Sequence, residues 1–262
     1  ATLVWQGDKE YSPATQIPVL DQVLATNPAG LVLIPTDPTA LQAGNDKAIA
    51  AGIPVVNVDT RVGDISKTVA FITGDNTDGG TKAAEAIAAK IGYTEGESYE
   101  VVVGLTSATA TTNVARLEGF QAAIEANYPG IEIVDVAYSE SNPQTAASNV
   151  DNWLTKYPNL DGIFAIDGTN ASGAAAALQA KNLVGKIALV GYDAYPDNVA
   201  KIKSGIFTAL IAQDPAAEAR LAIKTLVEYI KNGTTPSTKD VVIPNVTLDA
   251  NTSDEDFAKY TY

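Results

Sequence analysis

Two stretches of this chain share one pattern, and that pattern decides the fold. Residues 158–167 read PNLDGIFAID, and residues 28–37 read PAGLVLIPTD. Each stretch places an aspartate, Asp167 or Asp37, nine positions after a proline. The apolar run between proline and aspartate is typical of a buried strand, so both aspartates are expected at the carboxyl end of a strand.

The same order of elements follows each stretch. An Ala-rich helix is predicted over 40–51 and again over 172–181. Each helix leads to a second strand that ends in aspartate, IPVVNVD at Asp59 and IALVGYD at Asp193. An internal repeat of this kind predicts two lobes of similar topology.

Short β-branched runs alternate with helical stretches along the whole chain. Helices are predicted over Thr81–Ile91, closed by Gly92, and over Pro215–Lys231. The predicted strands are Thr2–Trp5, Gly30–Ile34, Val55–Val58, Val69–Thr73, Tyr99–Leu105, Ile131–Ala137, Gly162–Ile166, Ile187–Gly191, Thr208–Ala212 and Val241–Val246. Continuous apolar strands have both faces covered by helices, so the fold class is α/β with two doubly wound lobes.

Composition excludes several classes of function. The chain has 31 acidic and 17 basic residues, a net charge of −14, which repels nucleic acid and anionic membranes. It contains no Cys, His or Met, so thiol chemistry and the commonest general base are absent. Neither a phosphate-binding loop, a dinucleotide fingerprint nor a G-x-S-x-G motif occurs. We therefore expect no enzyme, no cofactor and no metal site.

The aspartates at the strand ends suggest a binding site. In open parallel sheets, ligands bind outside the carboxyl ends of the strands, so Asp59 and Asp193 are expected to face one shared cleft. A carboxylate only accepts hydrogen bonds, and therefore suits a ligand rich in hydroxyl groups. The alternative is that both aspartates are helix N-caps.

Several stretches, in order, resemble the type I periplasmic binding proteins, in particular the ribose-binding and related sugar-binding proteins of ABC importers. These stretches are SPATQIPVLDQVLATNPAGLVLIPTDPTAL, AIAAGIPVVNVDT, ITGDNTDGGTKAAEAI, NVARLEGFQAAI, YPNLDGIFAIDGTNASGAAAAL, ALVGYDAYPD and ALIAQDP. The resemblance covers nearly the whole chain. It implies a protein that closes two lobes around a monosaccharide or similar polyhydroxylated ligand.

The resemblance also implies a division of the chain. The N-terminal lobe is expected to comprise residues 1–74 and 214–244, and the C-terminal lobe residues 75–213 and 245–262. The chain would then cross between lobes near Asp75, Gln213 and Pro244, and these crossings would form the hinge.

The family's ligand-binding positions can be carried over one at a time. The candidate ligand-binding residues are Asp59, Thr60, Asn113, Arg116, Asp167, Asp193 and Gln213. Thr60 stands where ribose-type proteins often have Arg, which argues against ribose itself, and Asp167 stands where the family usually has Asn. For Arg116, the alternative is a surface ion pair.

Aromatic residues and the start of the chain depart from the family. Trp5, Tyr138 and Tyr192 are candidates for stacking on a sugar or for ordinary packing, while Trp153 is predicted to lie in the core. The resemblance also implies that a first strand and helix are missing. In the order 2-1-3-4-5, that strand would lie between Thr2–Trp5 and Gly30–Ile34, so either the native chain is longer or another segment fills the slot.

The resemblance implies partners and a location. An ABC permease would receive the ligand, a chemoreceptor is a further candidate partner, and the protein is expected to be a monomer that does not bind nucleic acid. The location would be periplasmic or extracellular, with a lipid anchor on a removed N-terminus as one form of it. The alternative function is the effector-binding domain of a sugar-responsive repressor, which shares this fold.

Overall fold

The apolar runs of the chain pair into two sheets, seen in a computed structural model that describes residues 2–8 and 10–262. In the first sheet all pairs are parallel, in the order β1-β2-β3-β9. Its strands are β1 (Leu31–Leu33), β2 (Val55–Val58), β3 (Ala70–Gly74) and β9 (Asp240–Ile243), numbered along the whole chain.

The second sheet has the order β10-β8-β7-β6-β4-β5, and only β10 runs antiparallel to its described neighbour. Its strands are β4 (Tyr99–Leu105), β5 (Ile131–Tyr138), β6 (Leu160–Ala165), β7 (Ala188–Tyr192), β8 (Ala209–Ala212) and β10 (Val246–Asp249). Parallel neighbours need crossover connections, and helices supply them.

Helices separate most of the strands along the chain, as the α/β prediction requires, although β3 follows β2 and β10 follows β9 without a helix between them. They are α1 (Pro13–Ala25), α2 (Gln42–Ala50), α3 (Asn76–Ile91), α4 (Thr111–Asn127), α5 (Pro143–Lys156), α6 (Gly168–Ala180), α7 (Pro196–Lys203), α8 (Pro215–Asn232) and α9 (Asp254–Tyr260). Within the described part of the chain, none of these helices has the length and apolar character needed to cross a membrane.

The chain divides into two compact units. The first unit comprises Ala1–Gly74, Thr109–Thr112 and Asp214–Ile243, and the second comprises Asp75–Ala108, Asn113–Gln213 and Pro244–Tyr262. Pro244 and the segment Thr109–Thr112 fall in the other unit from the one expected. That these units act as two ligand-binding lobes stays a prediction.

The core of the second unit lies on both faces of its sheet. Along β4, Val102 packs into one apolar cluster, while Val101 and Val103 pack into another. Successive residues of a strand point to opposite faces, so a strand with every residue apolar needs cover on both sides. Trp153 is buried in the first of these clusters, which confirms its predicted place in the core.

The predicted strand Thr2–Trp5 is wrong. These residues form no strand, and Leu3, Val4 and Trp5 are 70%, 70% and 79% exposed. A short apolar run becomes a strand only where a neighbour satisfies its backbone groups. Among the described residues, β1 pairs with β2 alone. Since Thr2–Trp5 is not a strand, there is no reason to expect a missing strand between it and Gly30–Ile34.

The predicted strand Val241–Val246 is two strands. Asp240–Ile243 pairs with β3 in the first unit, and Val246–Asp249 pairs with β8 in the second. Pro244 stands between them and has no N–H to continue a ladder. The run is therefore broken where the chain passes from one unit to the other.

The ends of helix α3 are set by capping residues that lie outside its apolar stretch. Helix α3 begins five residues before its predicted start because the Asp75 side chain accepts a hydrogen bond from the N–H of Asp78. It ends at Gly92, whose φ of 67° is left-handed, as predicted for a C-terminal cap.

Candidate functional site

The second unit gathers polar side chains where its strand order reverses. The chain places β5 on one side of β4 and β6 on the other, so the carboxyl ends of β4 and β6 form a topological switch point. Thr106 follows β4 and donates its hydroxyl to Asp167 Oδ2 at 2.8 Å. This is the location at which ligands bind in open α/β sheets.

Asp167 is the N-cap of helix α6. Its Oδ1 accepts from the N–H groups of Thr169 and Asn170, and its Oδ2 accepts from Thr106 and from Asn170 Nδ2. Burial, reinforced by the nearby Asp193 carboxylate, raises the pKa of Asp167 above its ordinary value despite these donors. Four hydrogen bonds fill the acceptor capacity of a carboxylate, so the geometry favours the cap, and a role in binding stays a prediction.

Asp193 joins three separate segments of the second unit. It follows β7 with a left-handed φ of 65°. Its Oδ2 accepts from the N–H of Gly168 at 2.9 Å, and its Oδ1 accepts from Gln213 Nε2 at 2.7 Å. Tyr262 also donates its hydroxyl to Oδ1, at 2.8 Å. The backbone conformation thus turns this carboxylate toward the amino end of α6, where helix N–H groups favour an anion.

Gln213 adds a second acceptor beside Asp193. It follows β8, is 8% exposed, and uses its amide nitrogen to hold Asp193. Its Oε1 is buried without a hydrogen-bond partner in the part of the chain that the structure describes. An unpaired buried acceptor costs about 1–3 kcal/mol, so this oxygen suits a ligand that donates.

Arg116 supplies the positive charge of the site. It is 2% exposed, donating from Nε to Asn76 Oδ1 at 2.8 Å and from Nη1 to the Ile166 carbonyl at 2.9 Å. Its Cζ lies 3.6 Å from the centroid of the Tyr192 ring. The alternative of a surface ion pair is therefore wrong, because the guanidinium is buried and stacked on an aromatic ring.

Asn113 lies one helical turn before Arg116 and orders the end of β4. Its Oδ1 accepts from the N–H of Thr106 at 2.7 Å, and the residue is buried. Sequence reasoning placed Asn113 in the site but missed Thr106, although the strand-end rule applied to that residue equally.

Tyr192 is a packing residue beneath Arg116 and not an exposed stacking platform. It is fully buried, and Asn245 Nδ2 donates to its hydroxyl at 2.5 Å. Gly79 allows this approach, because a Cβ there would lie 2.1 Å from the Tyr192 hydroxyl. The other two aromatic candidates, Trp5 and Tyr138, are exposed.

The first unit repeats the same local geometry. Asp37 accepts from the N–H groups of Thr39 and Ala40, as Asp167 does from its own following residues. Asp59 has a φ of 60°, and its N–H donates to a carbonyl of the next strand at 2.8 Å, as the Asp193 N–H does at 2.9 Å. Neither Asp59 nor Asp193 caps a helix, so the N-cap alternative is wrong for this pair.

Thr60 anchors the turn that carries Asp59. Its hydroxyl donates to the Pro35 carbonyl at 2.7 Å and is buried. Five predicted residues are thus collected in the second unit, namely Asn113, Arg116, Asp167, Asp193 and Gln213, and the other two, Asp59 and Thr60, lie in the first. That both sets bind one ligand stays a prediction.

Tyr262 is the site residue with no signal in the sequence. It lies 69 positions from Asp193, and no motif in the tail marks it. Only the packing of the segment after β10 brings its hydroxyl to the carboxylate.

Comparison with known proteins gives one family. The model of the periplasmic binding protein domain matches residues 1–235. The D-ribose/D-allose-binding protein of Pseudomonas aeruginosa is 29% identical, over 92% of this chain and 76% of its own. The ribose import binding protein of Haemophilus influenzae is 32% identical, over 86% of this chain and 74% of its own.

A solved structure agrees with these relatives. An ABC transporter solute-binding protein of Agrobacterium vitis, bound with α-D-tagatopyranose, superposes with a TM-score of 0.93 at 28% identity. The match covers 99% of this chain and 88% of that one. The relatives are binding proteins and not enzymes.

Proposed function

Because the chain belongs to the periplasmic binding protein family, we propose that it captures a monosaccharide and delivers it to an ABC permease. The named relatives bind ribose or allose, and the structural neighbour holds tagatopyranose. These ligands share a ring or chain densely substituted with hydroxyl groups. The relatives and the structure named above favour this function over the repressor alternative.

The buried acceptors of the second unit carry this proposal. Gln213 Oε1 has no partner in the described residues, and Asp193 Oδ2 accepts one hydrogen bond where a carboxylate oxygen can accept two. Both atoms need donors, whereas the guanidinium of Arg116 can only donate and therefore suits ligand oxygens that accept. A hydroxyl group donates and accepts at once, so a sugar satisfies both requirements.

The charges of the site favour a neutral ligand. In the second unit the Asp167 and Asp193 carboxylates are close enough to interact, and the Asp193 carboxylate and the Arg116 guanidinium both act on Tyr262. A phosphorylated or carboxylated ligand would meet net negative charge in a buried setting, where such repulsion is strong. Neutral sugars and polyols avoid this cost.

The proposal extends to the wider role of the protein, which membership of the family supports. In this proposal Asp59 contributes the equivalent acceptor from the first unit, and ligand binding favours the conformation in which both aspartates are engaged, a population shift. The chain segments at Asp75, Gln213 and Pro244, where one unit gives way to the other, are its hinge. The protein works as a periplasmic or extracellular monomer without catalysis, a chemoreceptor being a second candidate partner.

A thermal-shift screen followed by calorimetry tests the function. Pentoses, hexoses and polyols are added singly, and at least one sugar should raise the unfolding temperature and bind with a stoichiometry of one. Asp193→Asn should weaken that binding at least tenfold, because it replaces an acceptor with a donor. Asp197→Asn, an exposed aspartate four residues later, is the matched control and should bind as wild type. A wild-type protein that binds none of these compounds would refute the function.

A further inference from the structure

The hydroxyl of Tyr262 and the carboxylate of Asp193 form a contact that the family resemblance does not predict. We propose that Tyr262 is a specificity-determining residue: its hydroxyl occupies Asp193 Oδ1, so that only Oδ2 receives a ligand hydroxyl. The inference rests on the proposed function, since it concerns how the same site sorts sugars.

The hydrogen bonds of Asp193 divide its two oxygens sharply. Oδ1 accepts from both Gln213 Nε2 and the Tyr262 hydroxyl, at 2.7 and 2.8 Å. Among the residues that the structure describes, Oδ2 accepts only from the Gly168 N–H. A carboxylate oxygen has two acceptor positions, so Oδ1 is full and Oδ2 has one position left. Tyr262 thereby limits the site to one sugar hydroxyl at this carboxylate.

The tail that carries Tyr262 is fastened to the second unit. Phe257 of helix α9 is buried in the core, and its carbonyl accepts from both the N–H and the hydroxyl of Thr261. The N–H of Tyr262 donates to the Ala194 carbonyl, next to Asp193 in the chain. The backbone of Tyr262 is therefore held both by helix α9, which precedes it, and by the residue that follows Asp193.

A neighbouring ring fixes the direction of the Tyr262 side chain. The Tyr195 ring lies edge-on to it, with centroids 5.9 Å apart and an interplanar angle of 86°. Tyr195 also lies over Gly168, where an added Cβ would be 2.4 Å from its Cε2. The Tyr195 ring thus lies against both the Tyr262 ring and Gly168, two of the residues that donate to Asp193.

The phenol stays a donor over the working range of pH. Burial of its hydroxyl and the negative charge of Asp193 raise the pKa of Tyr262 above its ordinary value. As a whole residue it is 41% exposed, so part of its surface stays accessible while the hydroxyl holds the carboxylate. This combination suits a residue that shapes a site and does not simply fill the core.

Tyr262→Phe tests the inference, since it removes one oxygen and keeps the ring. Tyr260→Phe is the matched control, because the Tyr260 hydroxyl has no hydrogen bond in the described part of the chain. Affinities are measured by calorimetry for D-ribose, D-arabinose, D-xylose, D-allose and D-glucose, several of which differ in the direction of a single hydroxyl. Unfolding temperatures confirm that both variants are folded.

The expected result is a change in the relative affinities for the five sugars and not a uniform loss of affinity. In Tyr262→Phe, the vacated position on Oδ1 accepts a second sugar hydroxyl, so the ratio of affinities within an epimeric pair should change by about fivefold, the scale of one hydrogen bond. Tyr260→Phe should keep every ratio within twofold. A purely structural role for Tyr262 would lower all affinities together and leave the ratios unchanged.

Two results would overturn the inference, and they are distinguishable. If wild type binds sugars but Tyr262→Phe keeps its ratios within twofold, the role of Tyr262 is refuted while the proposed function stands. If wild type binds none of the five sugars and none of the wider screen, the proposed function fails and this inference fails with it.

Discussion

At the scale of single residues, the same pattern of an apolar strand ending in aspartate gives the same backbone conformation twice. Asp59 and Asp193 both end an apolar strand, and both adopt a left-handed φ, 60° and 65°. Aspartate tolerates this conformation better than most residues because its short polar side chain bonds locally. Sparsely populated backbone conformations of this kind are common at functional sites.

Arg116→Ala should impair both binding and stability. It removes the guanidinium that the proposal assigns to sugar oxygens, and affinity should fall at least tenfold. The same change leaves Asn76 Oδ1 and the Ile166 carbonyl without their buried donor, so the free energy of unfolding should drop by about 2–4 kcal/mol. Calorimetry and urea unfolding measure the two effects.

Arg220→Ala provides the control for this change. Arg220 is exposed on helix α8, and its loss should alter stability by less than about 0.5 kcal/mol and leave affinity unchanged. If Arg116→Ala binds sugar as tightly as Arg220→Ala does, Arg116 has only a structural role.

At the scale of elements, two helices each have a glycine that lies against a tyrosine side chain. Gly79 lies in α3 against the Tyr192 hydroxyl, and Gly168 begins α6 against the Tyr195 ring. In both cases the missing Cβ lets a ring approach the backbone next to the site. The sequence predicted helices only over Thr81–Ile91 and 172–181, so both glycines lay before the predicted helices and had no assigned role.

Gly79→Ala should destabilise the protein although alanine is the better helix former. The intrinsic gain is about 1 kcal/mol. The new Cβ would lie 2.1 Å from the Tyr192 hydroxyl, and that ring is held by Asn245 and stacked under Arg116. Overpacking of this kind costs about 1–3 kcal/mol, so we expect a net loss of up to about 2 kcal/mol in the free energy of unfolding, measured in urea.

Glu85→Ala is the comparison for the same helix. Glu85 is exposed, so alanine there should change stability by less than about 0.5 kcal/mol. A Gly79→Ala protein more stable than wild type would show that Tyr192 moves freely.

At the scale of the whole molecule, the proposed function predicts that residues of both units contribute to ligand binding. A sugar present at one hundred times its Kd should stabilise the protein by about 2.7 kcal/mol. If the ligand engages Asp59 as well as Asp193, then Asp59→Asn should reduce this stabilisation, even though the two aspartates belong to different units. Thermal unfolding with and without a fixed sugar concentration measures the increment.

Asp240→Asn is the control within the first unit, because Asp240 is exposed on strand β9. It should keep the full increment. Retention of the full increment by Asp59→Asn would assign binding to the second unit alone.

The elements of the fold were largely predictable from the sequence, for a physical reason. Strands such as Val55–Val58 and Tyr99–Leu105 match their predicted bounds, because short runs rich in valine are typical of buried parallel strands. The strand Thr2–Trp5 failed the same test because apolar character alone cannot provide a neighbouring strand.

The site was predictable only in part. Aspartates at strand ends are visible in the sequence because the strand-end rule is local, and it found Asp59, Asp167 and Asp193. Whether such a carboxylate is a helix cap or a binding acceptor depends on donors that arrive from distant segments. Asp167 has its four acceptor positions filled, whereas Asp193 retains one.

The sequence by itself determined the alternation of strands and helices, the repeat, and the residues that end the strands. The tertiary structure alone decided that Tyr262 meets Asp193 across 69 positions, that Arg116 is buried on Tyr192, and that Pro244 divides one predicted strand between two units. Periodicity and capping act over a few residues and can be seen in a linear pattern. Hydrogen bonds between remote segments depend on packing, which no local pattern encodes.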